Sequence, residues 1–275
     1  MSNSGTGQPD KPGLVITELR CGLGNQLFQY AVGRALAHHH KAPLKIDKSI
    51  FDRPGGRRYG LDLYGISGSI AAPAEIEILK KNPLTVFHRH SGYHPEIWQT
   101  PRRIYIKGFW TTEKYFQHIG TELRKELTPK RPLREELLIV GKLINQINSV
   151  SLHIRRTDYL RTPQLFPLQP DYYSAAIKKL ESLARIDVIY IFSDDIAWAK
   201  QNMRLNFPTV FIEGNRDYED LWLMTQCKNH IIANSTFSWW GAWLRPESQQ
   251  TVVAPRRWFR TRKVKNLIPD RWHQV

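Results

Sequence analysis

Two adjacent arginines at the end of an apolar run, in His153-Ile154-Arg155-Arg156-Thr157-Asp158, are the side chains here best suited to a diphosphate. Each guanidinium is a planar fork that can hold two phosphate oxygens and offset charge on a departing group. The plainer alternative is a solvated pair with Asp158 as its structural partner. A second cluster, Cys21-Gly22-Leu23-Gly24-Asn25-Gln26, sets glycines where an apolar run gives way to a helical pattern. Such a turn lets backbone approach a ligand and offers free N–H groups to an anion. It is equally an ordinary tight turn, since the third glycine of the dinucleotide fingerprint is missing.

Phe192-Ser193-Asp194-Asp195 ends another apolar run in two acids. These could hold a divalent metal, cap the next helix through Ser193 or Asp194, or bond a ribose. Adjacent acids lack the alternation of a metal-binding D-x-D, so no metal site is expected. The richest stretch joins Asp220-Leu221-Trp222 to Ala233-Asn234-Ser235-Thr236-Phe237-Ser238-Trp239-Trp240-Gly241-Ala242-Trp243. Its hydroxyl-rich turn before a helix is a second anion cradle. Trp240 and Trp243, at helical spacing with Leu244, read as core rather than as a sugar platform. His38, His39 and His40 face different directions on a helix and cannot share one metal ion, so they read as a helix end.

The elements that must position these clusters alternate. A strand at 14–19, a helix carrying Leu27, Phe28, Ala31, Ala35 and Leu36, and a strand at 44–47 make a βαβ start. The middle is less legible, with a strand at 104–109 and a helix near Tyr115. Strands at 149–154, 188–192, 209–212, 230–233 and 251–254 then alternate with helices at 172–183, 196–203, 218–228 and 237–244. That order implies a parallel sheet with right-handed crossovers. A polar tail at 1–13 is expected to be disordered, and a link at 128–134, or in the segment just after it, divides an N-terminal α/β unit, 14–130, from a C-terminal one, 131–275. Ligands of such open sheets bind at the carboxyl ends of the strands, in the cleft between the units.

With 40 Lys and Arg against 25 Asp and Glu, the net charge of +15 favours phosphate-bearing or polyanionic partners. Nucleotide-sugar, acidic lipid and nucleic acid all fit that balance, and the basic stretch 256–265 with Trp258 and Phe259 prompts the last two. Two cysteines, Cys21 and Cys227, are too few for a disulfide framework and point to free thiols in a reducing compartment. No export signal is recognisable in the tail, and no apolar run is long enough to span a bilayer. A cytoplasmic protein is expected, with any membrane contact peripheral, through its basic surface at the inner face.

The four clusters, in this order and spacing, resemble the α-1,2-fucosyltransferase family. Lys107-Gly108-Phe109-Trp110, Glu113-Lys114-Tyr115-Phe116 and Ala254-Pro255 before Trp258-Phe259 extend the likeness over nearly all of Leu14 to Phe259. The resemblance implies a GT-B-like α/β fold, two Rossmann-like domains facing across a cleft. It implies an inverting transfer of L-fucose from GDP-fucose to the 2-hydroxyl of a galactose-type acceptor, an oligosaccharide or glycolipid, with no metal and no other cofactor. Arg155 and Arg156 would meet the donor diphosphate, and His153 would line the nucleotide site. Asn25, in the loop shaped by Gly22 and Gly24, would face the β-phosphate or the reacting sugar. Asp220, Ser235, Thr236 and Phe237 would hold the guanosine and phosphates, and Asp194 would contact the ribose. Asp158 would either take the proton of the attacking hydroxyl or pin the arginines. The chain departs from the family pattern at Cys21, Thr157 and Trp110-Thr111, the last on the presumed acceptor side. Two rivals stand beside this reading. One is a noncatalytic sugar-nucleotide-binding relative, against which the intact His153 to Asp158 motif argues; the other is a basic nucleic-acid-binding protein.

Overall fold

In the computed structural model the described residues are 12–89, 92–130, 132–246 and 250–275. The expected tail lies outside them up to residue 11, as does one residue of the expected link. The first half of the chain builds β1 (Leu14–Glu18), α1 (Leu23–His40), β2 (Leu44–Asp47), β3 (Ser69–Ile70), α2 (Pro73–Lys81), β4 (Val86–Arg89), β5 (Arg103–Gly108) and α3 (Gly120–Glu126). The second builds α4 (Glu135–Gln146), β6 (Ser149–Ile154), α5 (Pro170–Glu181), β7 (Val188–Ser193), α6 (Ile196–Asn202), β8 (Thr209–Ile212), α7 (Asp217–Gln226), β9 (Asn229–Ile231), α8 (Thr236–Trp243), β10 (Val252–Ala254) and β11 (His273–Gln274).

Each half has its own sheet. The first is ordered β3-β2-β1-β5-β4 and the second β11-β10-β9-β6-β7-β8, and every strand pair in both is parallel. The central strands show why. Ser149, Val150, Ser151, Leu152, His153 and Ile154 of β6 are all buried, the signature of a strand covered on both faces by crossover helices. In each sheet the chain reverses its winding direction beside the first strand, β1 or β6, so the loops leaving those strands open into a crevice.

The helix α1 ends where Lys41 takes a left-handed conformation at φ 50° and its amide bonds back to the last turn, which carries the three histidines, as expected of a helix end. The expectation for the middle was too sparse. The short β3, α2 and β4 and a series of 3-10 turns from residue 83 to 119 fill it. The expected helix near Tyr115 is two such turns followed by α3.

The halves are joined by an apolar seam. Trp239, Trp240 and Trp243 of α8 are fully buried, and they pack on Phe28 of α1 and on Phe116. Ring centroids lie 4.5 Å apart for Phe28 and Trp239, 5.0 Å for Phe28 and Trp240, and 5.3 Å for Phe116 with Trp240 and with Trp243. Truncating any one to alanine would cost about 3–5 kcal/mol, so this seam fixes how the two sheets face each other. Glu113 adds a polar staple, accepting from Trp243 Nε1 at 2.9 Å and from Arg271 at 2.8 Å. The tryptophans are therefore core, as the helical spacing suggested.

Candidate functional site

The arginine motif begins where β6 leaves the second sheet. Asp194, at the end of the neighbouring β7, accepts the backbone amides of Arg156 at 2.8 Å and Thr157 at 3.2 Å, and pairs with Arg155 Nε at 3.2 Å. Both carboxylate oxygens thus brace the arginine loop. Asp195 rather than Ser193 or Asp194 caps α6, accepting from Trp198 N, and it pairs with Arg156 Nε at 3.2 Å. The Arg156 guanidinium lies 4.2 Å from the centroid of the Trp198 ring beneath it.

Arg155 is held more tightly. Its Nε and Nη2 each donate to Asp158 at 2.9 Å, a bidentate fork. Burial opposes the charge of both partners, yet the pairing keeps Asp158 below its ordinary carboxylate range and Arg155 above its ordinary value. Across the cleft Arg57 Nη2 reaches Asp158 Oδ2 at 3.0 Å. Of the two readings of Asp158, the geometry corresponds to the pinning one.

His153 is buried beside Phe237, ring centroids 5.7 Å apart. Burial and the nearby Arg155 charge push its pKa down to about 3, so the imidazole is neutral, and its Nδ1 has no hydrogen-bond partner among the described residues. Ser235 caps α8 by accepting the Phe237 amide at 3.3 Å. Asn234, just before it, accepts the Tyr159 hydroxyl at 2.7 Å on its carbonyl and donates to the Phe166 and Trp258 carbonyls, tying the arginine loop to this turn.

The glycine loop arrives from the other half. A Cβ on Gly24 would lie 2.5 Å from the backbone nitrogen of Phe237 and 2.5 Å from the carbonyl carbon of Thr236. Glycine is needed there so that α1 and α8 can touch, and the space its missing side chain leaves is filled by protein. Gly22 differs, with nothing within 4 Å of the same point, and is the glycine open to a ligand. Gly24 thus meets Thr236 and Phe237, whose ring packs beside His153 at the base of the arginine loop, while Gly22 and Asn25 lie in the same glycine turn, the Asn25 amide donating to the Gly22 carbonyl at 3.0 Å. Asp220 keeps a different partner, Asn215, at 3.0 Å. Burial raises its pKa to about 6 against that hydrogen bond, with Glu219 and Asp217 adding to the rise.

Arg57, Tyr159 and Trp198 complete the site without having been given a role from the sequence, and Asp195, weighed there as one of a pair of acids, joins them. Arg57 lies in the stretch Arg53 to Gly65, rich in Gly, Arg and Tyr, a composition that marks no single residue for a role. Conversely, Trp110 turns inward at φ 53° and packs on Phe87 and Tyr115 at 5.9 and 5.6 Å. The basic stretch 256–265 also turns an aromatic inward: Trp258 is buried, while Arg260 donates to the carbonyls of Pro163 and Leu165. A cavity of about 240 Å³ lined by Tyr64, Leu127, Tyr218, Leu221 and Trp222 contains none of the candidate site residues. No group of metal-ligating side chains occurs among the described residues, and none of their helices is long and apolar enough to cross a membrane.

Two parallel α/β sheets meeting at a crevice edged by glycine and arginine loops define a glycosyltransferase of GT-B-like fold. The chain belongs to glycosyl transferase family 11, whose model matches residues 87–271. It is 31% identical to an α-1,2-colitosyltransferase of Escherichia coli over 95% of this chain and 99% of that one. It is 34% identical to the O-antigen biosynthesis glycosyltransferase WbnK of Escherichia coli, over 91% and 97%. Human galactoside α-(1,2)-fucosyltransferase 1 is 26% identical over 81% of this chain and 63% of that one. Among solved structures, the α-1,6-fucosyltransferase NodZ soaked with GDP-fucose superposes with a TM-score of 0.50, covering 86% and 94% at 14% identity, a likeness of fold. The family resemblance read from the motifs is borne out.

Proposed function

We propose that this glycosyltransferase moves L-fucose from GDP-fucose to the 2-hydroxyl of a galactose-type acceptor, with inversion at the anomeric carbon and without a metal. The observation that carries the donor half is the Arg155–Asp158 fork at the carboxyl end of β6, beside the open Gly22. The acceptor hydroxyl oxygen forms its bond to the anomeric carbon on the face opposite the diphosphate, the carbon–oxygen bond to the β-phosphate breaks with its electron pair leaving on GDP, and the hydroxyl proton passes to solvent water. Inversion of a β-linked donor yields the α product. Negative charge grows on the departing phosphate, where Arg155 and Arg156 offset it. His153, neutral and with a free ring nitrogen, is suited to a hydrogen bond with the nucleotide rather than to charge neutralisation. Asp158 serves as the pin of Arg155, because both its oxygens already accept arginine hydrogen bonds. The net charge of +15 supports peripheral contact of a cytoplasmic enzyme with an anionic membrane face bearing a glycolipid acceptor.

A second reading, transfer of colitose, is favoured by the 31% identity to a colitosyltransferase. Colitose is fucose without its 3-hydroxyl, so the same diphosphate site serves both. The test offers the protein GDP-fucose and its 3-deoxy counterpart with a panel of galactosides, following GDP release and the product by NMR. Fucose α-linked to O2 of a terminal galactose is the expected product; exclusive use of the 3-deoxy donor would replace the first reading by the second. Full turnover of a 2-deoxygalactoside would remove the linkage claim alone.

A further inference from the structure

Among the described residues, the side chain that hydrogen-bonds the arginine cluster from the opposite half is that of Arg57. Its Nη2 lies 3.0 Å from the same Asp158 oxygen that Arg155 Nη2 approaches at 2.9 Å, across 101 positions of sequence. Stability does not account for this contact. The Arg57 side chain is 58% exposed, and ion pairs that open to solvent contribute about 0–1 kcal/mol.

The loop that carries it is nevertheless built in. Gln26, fully buried on α1, donates through Nε2 to the carbonyls of Cys21 and Arg58, each at 2.9 Å, and accepts the Gly60 amide at 3.0 Å through Oε1. One side-chain amide therefore fastens the Arg57 loop to the glycine loop, and Arg57 spans from there to the arginine loop. Leaving such a buried amide unsatisfied is costly, so this geometry is well specified.

We infer that Arg57 is a positioning residue of the transfer reaction: it fixes the Asp158 carboxylate across the cleft, and through it the orientation of the Arg155 fork toward the diphosphate. Arg155 spends Nε and Nη2 on Asp158, and its Nη1 has no partner among the described residues. The direction in which that free edge points is set by where Asp158 is held. A second arginine on Asp158 also keeps the carboxylate ionised and unavailable to swing onto the donor. The groups facing this carboxylate are Arg155 from its own loop and Arg57 from the other half, with Asp194 behind Arg155 and Tyr159 next in the chain.

The inference rests on the reading of the arginines as the diphosphate site and is indifferent to which sugar is moved. Its test compares Arg57→Ala, Arg57→Lys, Asp158→Asn and the Arg57→Ala/Asp158→Asn double variant. Arg57→Ala should lower kcat/KM for the donor about fivefold in the native background and less than about twofold beside Asp158→Asn, as contacting residues couple. Arg57→Lys, which keeps the charge, should retain at least about half the native value. In the free protein, a carbon-13 NMR titration of Asp158 should show its midpoint rise on Arg57→Ala, because one of the cations lowering it is gone. An equal loss in both backgrounds would assign Arg57 to the phosphates directly and overturn the inference, as would no loss, a Lys variant as impaired as the Ala variant, or an unmoved midpoint. The titration needs no donor, so a chain that turned over no nucleotide sugar would refute the proposed function while leaving the midpoint to judge Arg57.

Discussion

Replacing Asp220 by asparagine should make the protein more stable and less able to bind nucleotide. Asp220 sits in the first turn of α7, where burial raises its carboxyl to about 6 from an ordinary 3.8 and Glu219 and Asp217 add like charge. A carboxyl protonating more readily in the folded than in the unfolded chain stabilises the fold at low pH. That contribution is complete below the unfolded value near 3.8 and is lost as pH rises through about 6. At pH 8 the native protein therefore carries the full penalty of a buried, like-charged carboxylate. The difference corresponds to about 3 kcal/mol, and the partial exposure of the group reduces it to about 1–2 kcal/mol. Asparagine keeps an acceptor for Asn215 and removes the charge. The variant should gain about 1–2 kcal/mol at pH 8, a rise in Tm of about 2–5 °C for a chain of this size, and nothing below about pH 4. Calorimetry of both proteins from pH 4 to 8 measures this. A variant no more stable than native at pH 8, or one whose advantage persists at pH 4, would refute the electrostatic account. A strained carboxylate kept at that expense suggests a ligand for it, so GDP affinity by titration calorimetry should fall at least about tenfold in the same variant.

Arg155→Lys should lower kcat by about tenfold to a hundredfold, because an ammonium cannot reproduce the fork that meets both Asp158 oxygens while presenting a third nitrogen to the phosphate. Steady-state GDP release measures it, and an unchanged kcat would remove the assigned role. Turnover should persist in excess EDTA, since arginines take the place of a cation at the diphosphate; activity lost in chelator and restored by Mn²⁺ would overturn this. Gly24→Ala should destabilise the fold by about 1–3 kcal/mol or more, because the new carbon would meet backbone of Thr236 and Phe237 that cannot swing aside. An unchanged denaturant midpoint would show that α1 and α8 can separate.

What was legible in the sequence was the part set by local pattern. The run through β6, with Val150, Leu152 and Ile154, and the strand-helix alternation after it pointed to a parallel sheet, and the arginines at its end had to lie where such sheets bind ligands. What was not legible depended on contacts far apart in the chain. The glycine loop reads as a ligand cradle, yet Gly24 is there for Thr236 and Phe237, some 210 residues on, and only Gly22 faces open space. The helix α4 carries a buried stripe of Leu137, Gly141 and Ile144 at four- and three-residue spacing, but it stands just after the Lys-, Pro- and Arg-rich stretch where the link was expected and was not read as an element. Asp194 illustrates the limit most sharply. An adjacent pair of acids at a strand end argues against a metal site but is compatible with cap or ribose, and nothing in its neighbours decides between those two. Only the parallel pairing of β6 with β7 brings Asp194 beneath the amides of Arg156 and Thr157, 38 and 37 positions away, where it becomes the brace of the arginine loop. The types of residue that do chemistry are written locally, but which of them holds and which is held is decided by the sheet.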